Sequence, residues 1–139
     1  MNFTTLSLSI LLVSVCSAAM VRAEDKPGEN RIFEMRTYTA APGKLEALHA
    51  RFRDHTNKLF TKHGMTMIGY WTPSEGDKKD NTLIYILAYP NKEAATKAWA
   101  AFRADPDWIK ARDASEKDGK IVAKLESQFF NVTEYSPGQ

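Results

Sequence analysis

Along residues 31–135 the spacing of apolar side chains switches between two and about 3.6, and each switch marks an element. In "RIFEMRTY", residues 31–38, Phe33 and Met35 fall on one side and Ile32, Glu34, Arg36 and Tyr38 on the other, the alternation of a strand. "TAAPG" then turns the chain, and Pro42 suits a first helical turn. From Pro42 to His63 the period is helical: Leu45, Leu48, Phe52, Thr56, Leu59 and Phe60 share one arc, opposite Lys44, Glu46, Arg51, Asp54 and Lys58. Gly64, preceded by Lys62 and His63, stops that helix. "MTMIGYWT" (65–72) and "TLIYILAY" (82–89) are strands of a hairpin joined by the charged turn "PSEGDKKDN". Asn91 caps a second helix running to about Arg103, with Ala94, Ala95, Ala98, Trp99 and Phe102 inward. Asp105-Pro106 restarts a helix that lasts until Gly119, and "LESQFFNVTEY" (125–135) is the last strand.

The resulting order, β-α-β-β-α-β, is the split βαβ arrangement of ferredoxin-like α+β folds: an antiparallel four-stranded sheet with helices on one face. The third strand carries a second message. Leu83, Tyr85, Leu87 and Tyr89 form one face, yet Ile84, Ile86 and Ala88 make the other apolar too. Two helices cover only one face of so small a sheet, and a face left to water would read polar. A second copy of the chain is the expected cover, giving a homodimer whose two half-barrels close into an α+β barrel.

Residues 6–21 are apolar and uncharged but shorter than the roughly 20 residues a spanning helix needs. Small residues at Val21 and Ala23 precede a cut before Glu24, so residues 1–23 read as a cleaved export signal, although "MNFTT" lacks Lys and Arg. The protein is then periplasmic or secreted, with no membrane anchor after cleavage. A polar spacer (24–30), one domain (31–136) and a tail (137–139) follow. Cys16, the single cysteine, leaves with the signal, and with it any disulfide or thiolate chemistry. The formal charge of +2 falls by one with Arg22, and the remaining charges are interleaved, which gives no reason to expect a nucleic-acid partner. His49, His55 and His63 offer no pair four residues apart for a metal, and no phosphate-binding glycine loop or nucleophile elbow is present. No cofactor or metal is expected.

The stretches "FEMRTYTAAPGKLEAL", "KHGMTMIGYWT", "LIYILAYPNKEAATKAW" and "ADPDW" resemble the NIPSNAP family. Its ordered combination of E-x-R-x-Y, PGK, HG and G-x-W runs through nearly the whole chain after the export segment. The resemblance implies a ferredoxin-like half-barrel that pairs into a dimeric barrel. It implies less about activity, because members share no single biochemical role.

Five residues stand out as candidate chemistry. Arg36 and Tyr38 share a strand face with Glu34; the plain reading is an ion pair under a tyrosine lid, the functional one an anchor for a carboxylate or enolate. His63 is either a helix-terminal cation or a proton shuttle facing a pocket between helix and sheet. Trp71 and Tyr85, with Tyr70 and Tyr89, read as core or as an aromatic lining like those with which related barrels hold flat substrates. The leading expectation is binding of a small, partly apolar molecule between sheet and helices. Cofactor-independent oxygenation or isomerisation with His63 as base, and a purely structural interaction module, are the alternatives.

Overall fold

The computed structural model describes residues 31–137. The export segment, the spacer and the last two residues of the tail lie outside the described residues. Four strands, β1 (Ile32–Ala40), β2 (Thr66–Trp71), β3 (Thr82–Tyr89) and β4 (Val122–Asn131), pair antiparallel in the order β2-β3-β1-β4. Helices α1 (Leu45–Arg51) and α2 (Asn57–Lys62) are joined through a π-helical turn, Phe52–Thr56, and α3 (Lys92–Ala104) and α4 (Pro106–Ser115) follow β3. This is the ferredoxin-like α+β architecture expected from the periodicity.

Helix α1 begins three residues after Pro42, because Gly43 adopts a left-handed backbone (φ 70°) that a helix interior does not allow. The long helix is also not uniform. At Asn57 the backbone N–H bonds to the carbonyl of Phe52, five residues back, and the Thr56 hydroxyl donates to the Arg51 carbonyl at 3.2 Å. Asn91 caps α3 as expected, its Oδ1 accepting from the Ala94 N–H at 2.8 Å. Strand β4 starts at Val122 and ends at Asn131, ahead of the stretch the sequence suggested. Its limits are set by its partner: Ala40 at one end of β1 pairs with Val122, and Ile32 at the other pairs with Asn131.

Residues paired across antiparallel strands share a face. Arg36 pairs with Tyr85 and Tyr38 with Leu83, so these side chains and Glu34 all point toward the helices. There Leu48, Phe52, Leu59, Phe60, Tyr85, Leu87, Trp99 and Phe102 build the core. Arg51, expected on the solvent side, is buried because α4 packs over it; its Nη1 donates to Glu116 Oε1 at 3.1 Å. The opposite face carries Phe33, Met35, Ile84, Ile86, Trp71 and Phe130, and among the described residues no helix lies above it. Edge strand β4 is largely exposed over its length.

Candidate functional site

The alternation of β1 brings Arg36 and Tyr38 together with Tyr85 of β3. The Tyr85 hydroxyl donates to the Tyr38 oxygen at 3.0 Å, and the two rings meet edge to face at 5.3 Å. Phe52 and Phe60 press on Tyr85 from the helices, at 5.1 and 5.9 Å between ring centres. Burial drives the Tyr85 hydroxyl well above the usual tyrosine pKa. The aromatic block is thus filled, and a ligand does not enter between Tyr38 and Tyr85.

Beside the block lies a buried carboxylate. Glu34, 3% exposed, receives hydrogen bonds at Oε2 from Trp99 Nε1 (2.6 Å) and the Tyr89 hydroxyl (3.0 Å), and at Oε1 from Ser127 Oγ (2.6 Å). Burial, followed by the Glu34 charge, raises the Tyr89 pKa far above its ordinary value, so Tyr89 stays a donor. Arg36 stands 3.7 Å from Glu34 Oε1 and lies flat over the Trp99 ring, 3.9 Å from its centre.

His63 is placed elsewhere. As the C-cap of α2 it turns its Nε2 to Asp105 Oδ2, 2.7 Å away, and Lys62 Nζ reaches the same oxygen at 2.8 Å. Asp105 also caps α4 through Oδ1, which accepts from the Asp107 N–H at 2.9 Å. The hydrogen bonds from Lys62 and His63 hold the Asp105 carboxyl far below the usual carboxylate range. An ionised Asp105 fixes the tautomer: His63 Nε2 carries the proton and donates it. The trio is a clamp between the end of α2 and the start of α4.

Trp71 pairs with Ile84 and therefore points away from the helices, opposite to its neighbour Tyr70, which pairs with Tyr85. The Trp71 indole folds back over Gly69: a Cβ on Gly69 would stand 2.7 Å from the ring. That is why this strand carries glycine two residues before a tryptophan. Trp71 also lines a cleft of 330 Å³ between β2 and the π turn, together with His49, Phe52, Arg53, Asn57, Tyr70, Thr72 and Leu83. Tyr70 donates to Asn57 Oδ1 at 2.8 Å, stacks on Tyr85 at 5.6 Å, and burial pushes its pKa up to about 12.

The five expected residues therefore occupy three places: Arg36, Tyr38 and Tyr85 in one cluster, His63 in a clamp, Trp71 at the cleft. His49, Arg53 and Asn57 were not singled out by the sequence, although their spacing of four places a polar stripe on one flank of the apolar arc. Among the described residues no group of three or more His, Cys, Asp or Glu is arranged to hold a metal, and no helix is long and apolar enough to cross a membrane.

Sheet order, helix placement and the aromatic interior define a ferredoxin-like α+β protein. The NIPSNAP family model matches residues 33–137, and the chain belongs to the NIPSNAP family. Its fold is shared with a NIPSNAP-like domain protein from Burkholderia xenovorans (17% identity, TM-score 0.68, covering 78% of this chain and 90% of that one). It is likewise shared with a NIPSNAP family protein from Agrobacterium tumefaciens (21% identity, TM-score 0.67, 78% and 93% covered). More distantly it resembles SnoaB, a cofactor-independent oxygenase from Streptomyces nogalater (17%, TM-score 0.51, 78% and 99% covered). No curated protein matches the chain.

Proposed function

We propose that this is an exported, homodimeric binding protein that holds a small, partly apolar molecule in the cleft between β2 and the π turn. The observation that carries the reading is the make-up of that cleft. At 330 Å³ it falls in the size range of small-molecule sites, with Phe52, Tyr70 and Leu83 for an apolar body, Trp71 at its edge, and His49, Arg53 and Asn57 for a polar end. The π turn supplies Phe52 and Arg53, and such turns recur at functional sites because they re-aim side chains within a helix. Export rests on the apolar leader ending at Ala23, and pairing on the apolar open face of the sheet.

Oxygenation or isomerisation with His63 as base has less support, since His63 donates to Asp105 and lines no part of the cleft. The shared fold with SnoaB speaks for architecture and not for chemistry. Thermal-shift measurements on the full chain against a panel of indoles, phenols and other small aromatics test the binding reading. A ligand is expected that raises Tm saturably in the wild type, and about tenfold less tightly in Trp71→Ala or Asn57→Ala. A panel without any such compound, or equal binding by both variants, would leave a structural interaction module as the better account.

A further inference from the structure

We propose that Arg36, with the Tyr38–Tyr85 hydroxyl pair, forms a second binding site, for a small monocarboxylate, on the part of the sheet that the helices leave open toward β4. Donors outnumber acceptors around this side chain. The Arg36 side chain is 12% exposed, and among the described residues its only charged partner is Glu34, at 3.7 Å, beyond hydrogen-bond length. Among the described residues nothing accepts a hydrogen bond from the guanidinium, and its Nε is buried without a partner. Glu34 has little left to offer, since Trp99 and Tyr89 occupy Oε2 and Ser127 occupies Oε1. The tyrosine pair adds a further donor. Two hydroxyls 3.0 Å apart share one proton between them, and no described residue accepts the other.

A nearly buried cation with an unused planar fork is costly, and it is relieved by an anion with two coplanar oxygens, which is a carboxylate. Trp99 beneath the guanidinium holds the plane of the fork. Glu34 stands 3.7 Å from the Arg36 guanidinium, so a monoanion suits the site better than phosphate, whose second charge would add to the repulsion from Glu34. The rest of the ligand has an apolar bed: Leu125 of β4 pairs with Tyr38 on the same face and is 44% exposed. This site does not use the cleft, and the packed rings of Tyr85 and Phe52 stand between the two.

The test is titration of the full chain with benzoate and hexanoate, followed by Tm and tryptophan fluorescence, against chloride and inorganic phosphate at equal ionic strength. Both carboxylates are expected to stabilise the protein saturably where chloride and phosphate do not. Arg36→Lys keeps the charge but loses the fork, and Leu125→Glu sets a like charge on the apolar bed without touching the core. Each is expected to weaken carboxylate binding at least about tenfold, while the cleft variant Arg53→Ala leaves it unchanged. Absence of a carboxylate effect in the wild type overturns the site, as does unchanged affinity in Leu125→Glu. Loss of binding in Arg53→Ala with retention in Arg36→Lys overturns it too, by moving the carboxylate to the cleft.

Discussion

At the scale of single residues, the most consequential choice in this chain is a glutamate at the third position of β1, facing the core. Burying a carboxylate is unfavourable unless donors and a counter-charge go with it, and here Trp99, Tyr89, Ser127 and Arg36 all do. Four elements thereby converge on one side chain, from β1, β3, α3 and β4. Glu34→Leu strands the Arg36 charge and three donors, and a loss of about 3–5 kcal/mol is expected in urea unfolding. Adding Arg36→Met to Glu34→Leu removes the orphaned charge, so the double variant is expected to recover part of that loss. Additive losses in the double-mutant cycle would show that the two side chains do not act as a pair. The E-x-R-x-Y alternation made the shared face of Glu34, Arg36 and Tyr38 legible in the sequence. It did not reveal Tyr89, Trp99 and Ser127 as the donors, because those distances arise only when the strands are in register and α3 is laid across them.

At the scale of elements, strands and helices were readable wherever one face was buried and the other wet. Strand β3 matched its expected limits because its apolar run is bounded by turn residues on both sides. Strand β4 carries exposed residues on both faces, so periodicity held no signal for its start; β1 decides that. The π turn was hidden for a different reason: Phe52 and Thr56 are buried whether the turn is α or π. The sequence offers Trp71 and Tyr85 together because both are strand aromatics, whereas the pairing of Trp71 with Ile84 puts them on opposite faces. His63 was legible as a helix stop, and the structure adds what it stops against. The clamp it forms joins α2 to α4 through Asp105, and this makes a pH-dependent prediction. A carboxyl held below its unfolded pKa stabilises the fold above that value, 3.8 for a free aspartate, and loses its contribution as the pH falls through the lower folded value. Asp105→Asn is therefore expected to lower Tm at pH 7, with the gap to wild type closing as the pH drops below about 4. Equal melting of the two proteins at pH 7 would mean that the clamp carries no stability.

At the scale of the whole molecule, the question is what lies over the open face of the sheet. Phe33, Met35, Ile84, Ile86, Trp71 and Phe130 form an apolar surface that no helix among the described residues covers. Its centre is made by β3 and β1, the two inner strands, so it is a broad face and not a fringe at one edge. Gly69 lets the Trp71 indole lie flat against the strand, and flatness matters where two sheets are to stack about 10 Å apart. The same face contributes little to the core of the single protomer, which is built on the helix side from Leu48, Phe60, Tyr85, Leu87 and Phe102. Pairing and folding are therefore separable by mutation. Ile86→Lys is placed at the centre of the open face, where its charge has water as a neighbour in a lone protomer and an apolar surface in a dimer. Sedimentation at micromolar concentration is expected to show a dimer for the wild type and a monomer for Ile86→Lys, with the helical circular dichroism of the folded chain retained in both. Were the wild type to sediment as a folded monomer, the apolar face would need another partner and the barrel would not form from two copies. Loss of secondary structure in Ile86→Lys would instead show that the face belongs to the protomer's own stability, so that fold and assembly are a single transition.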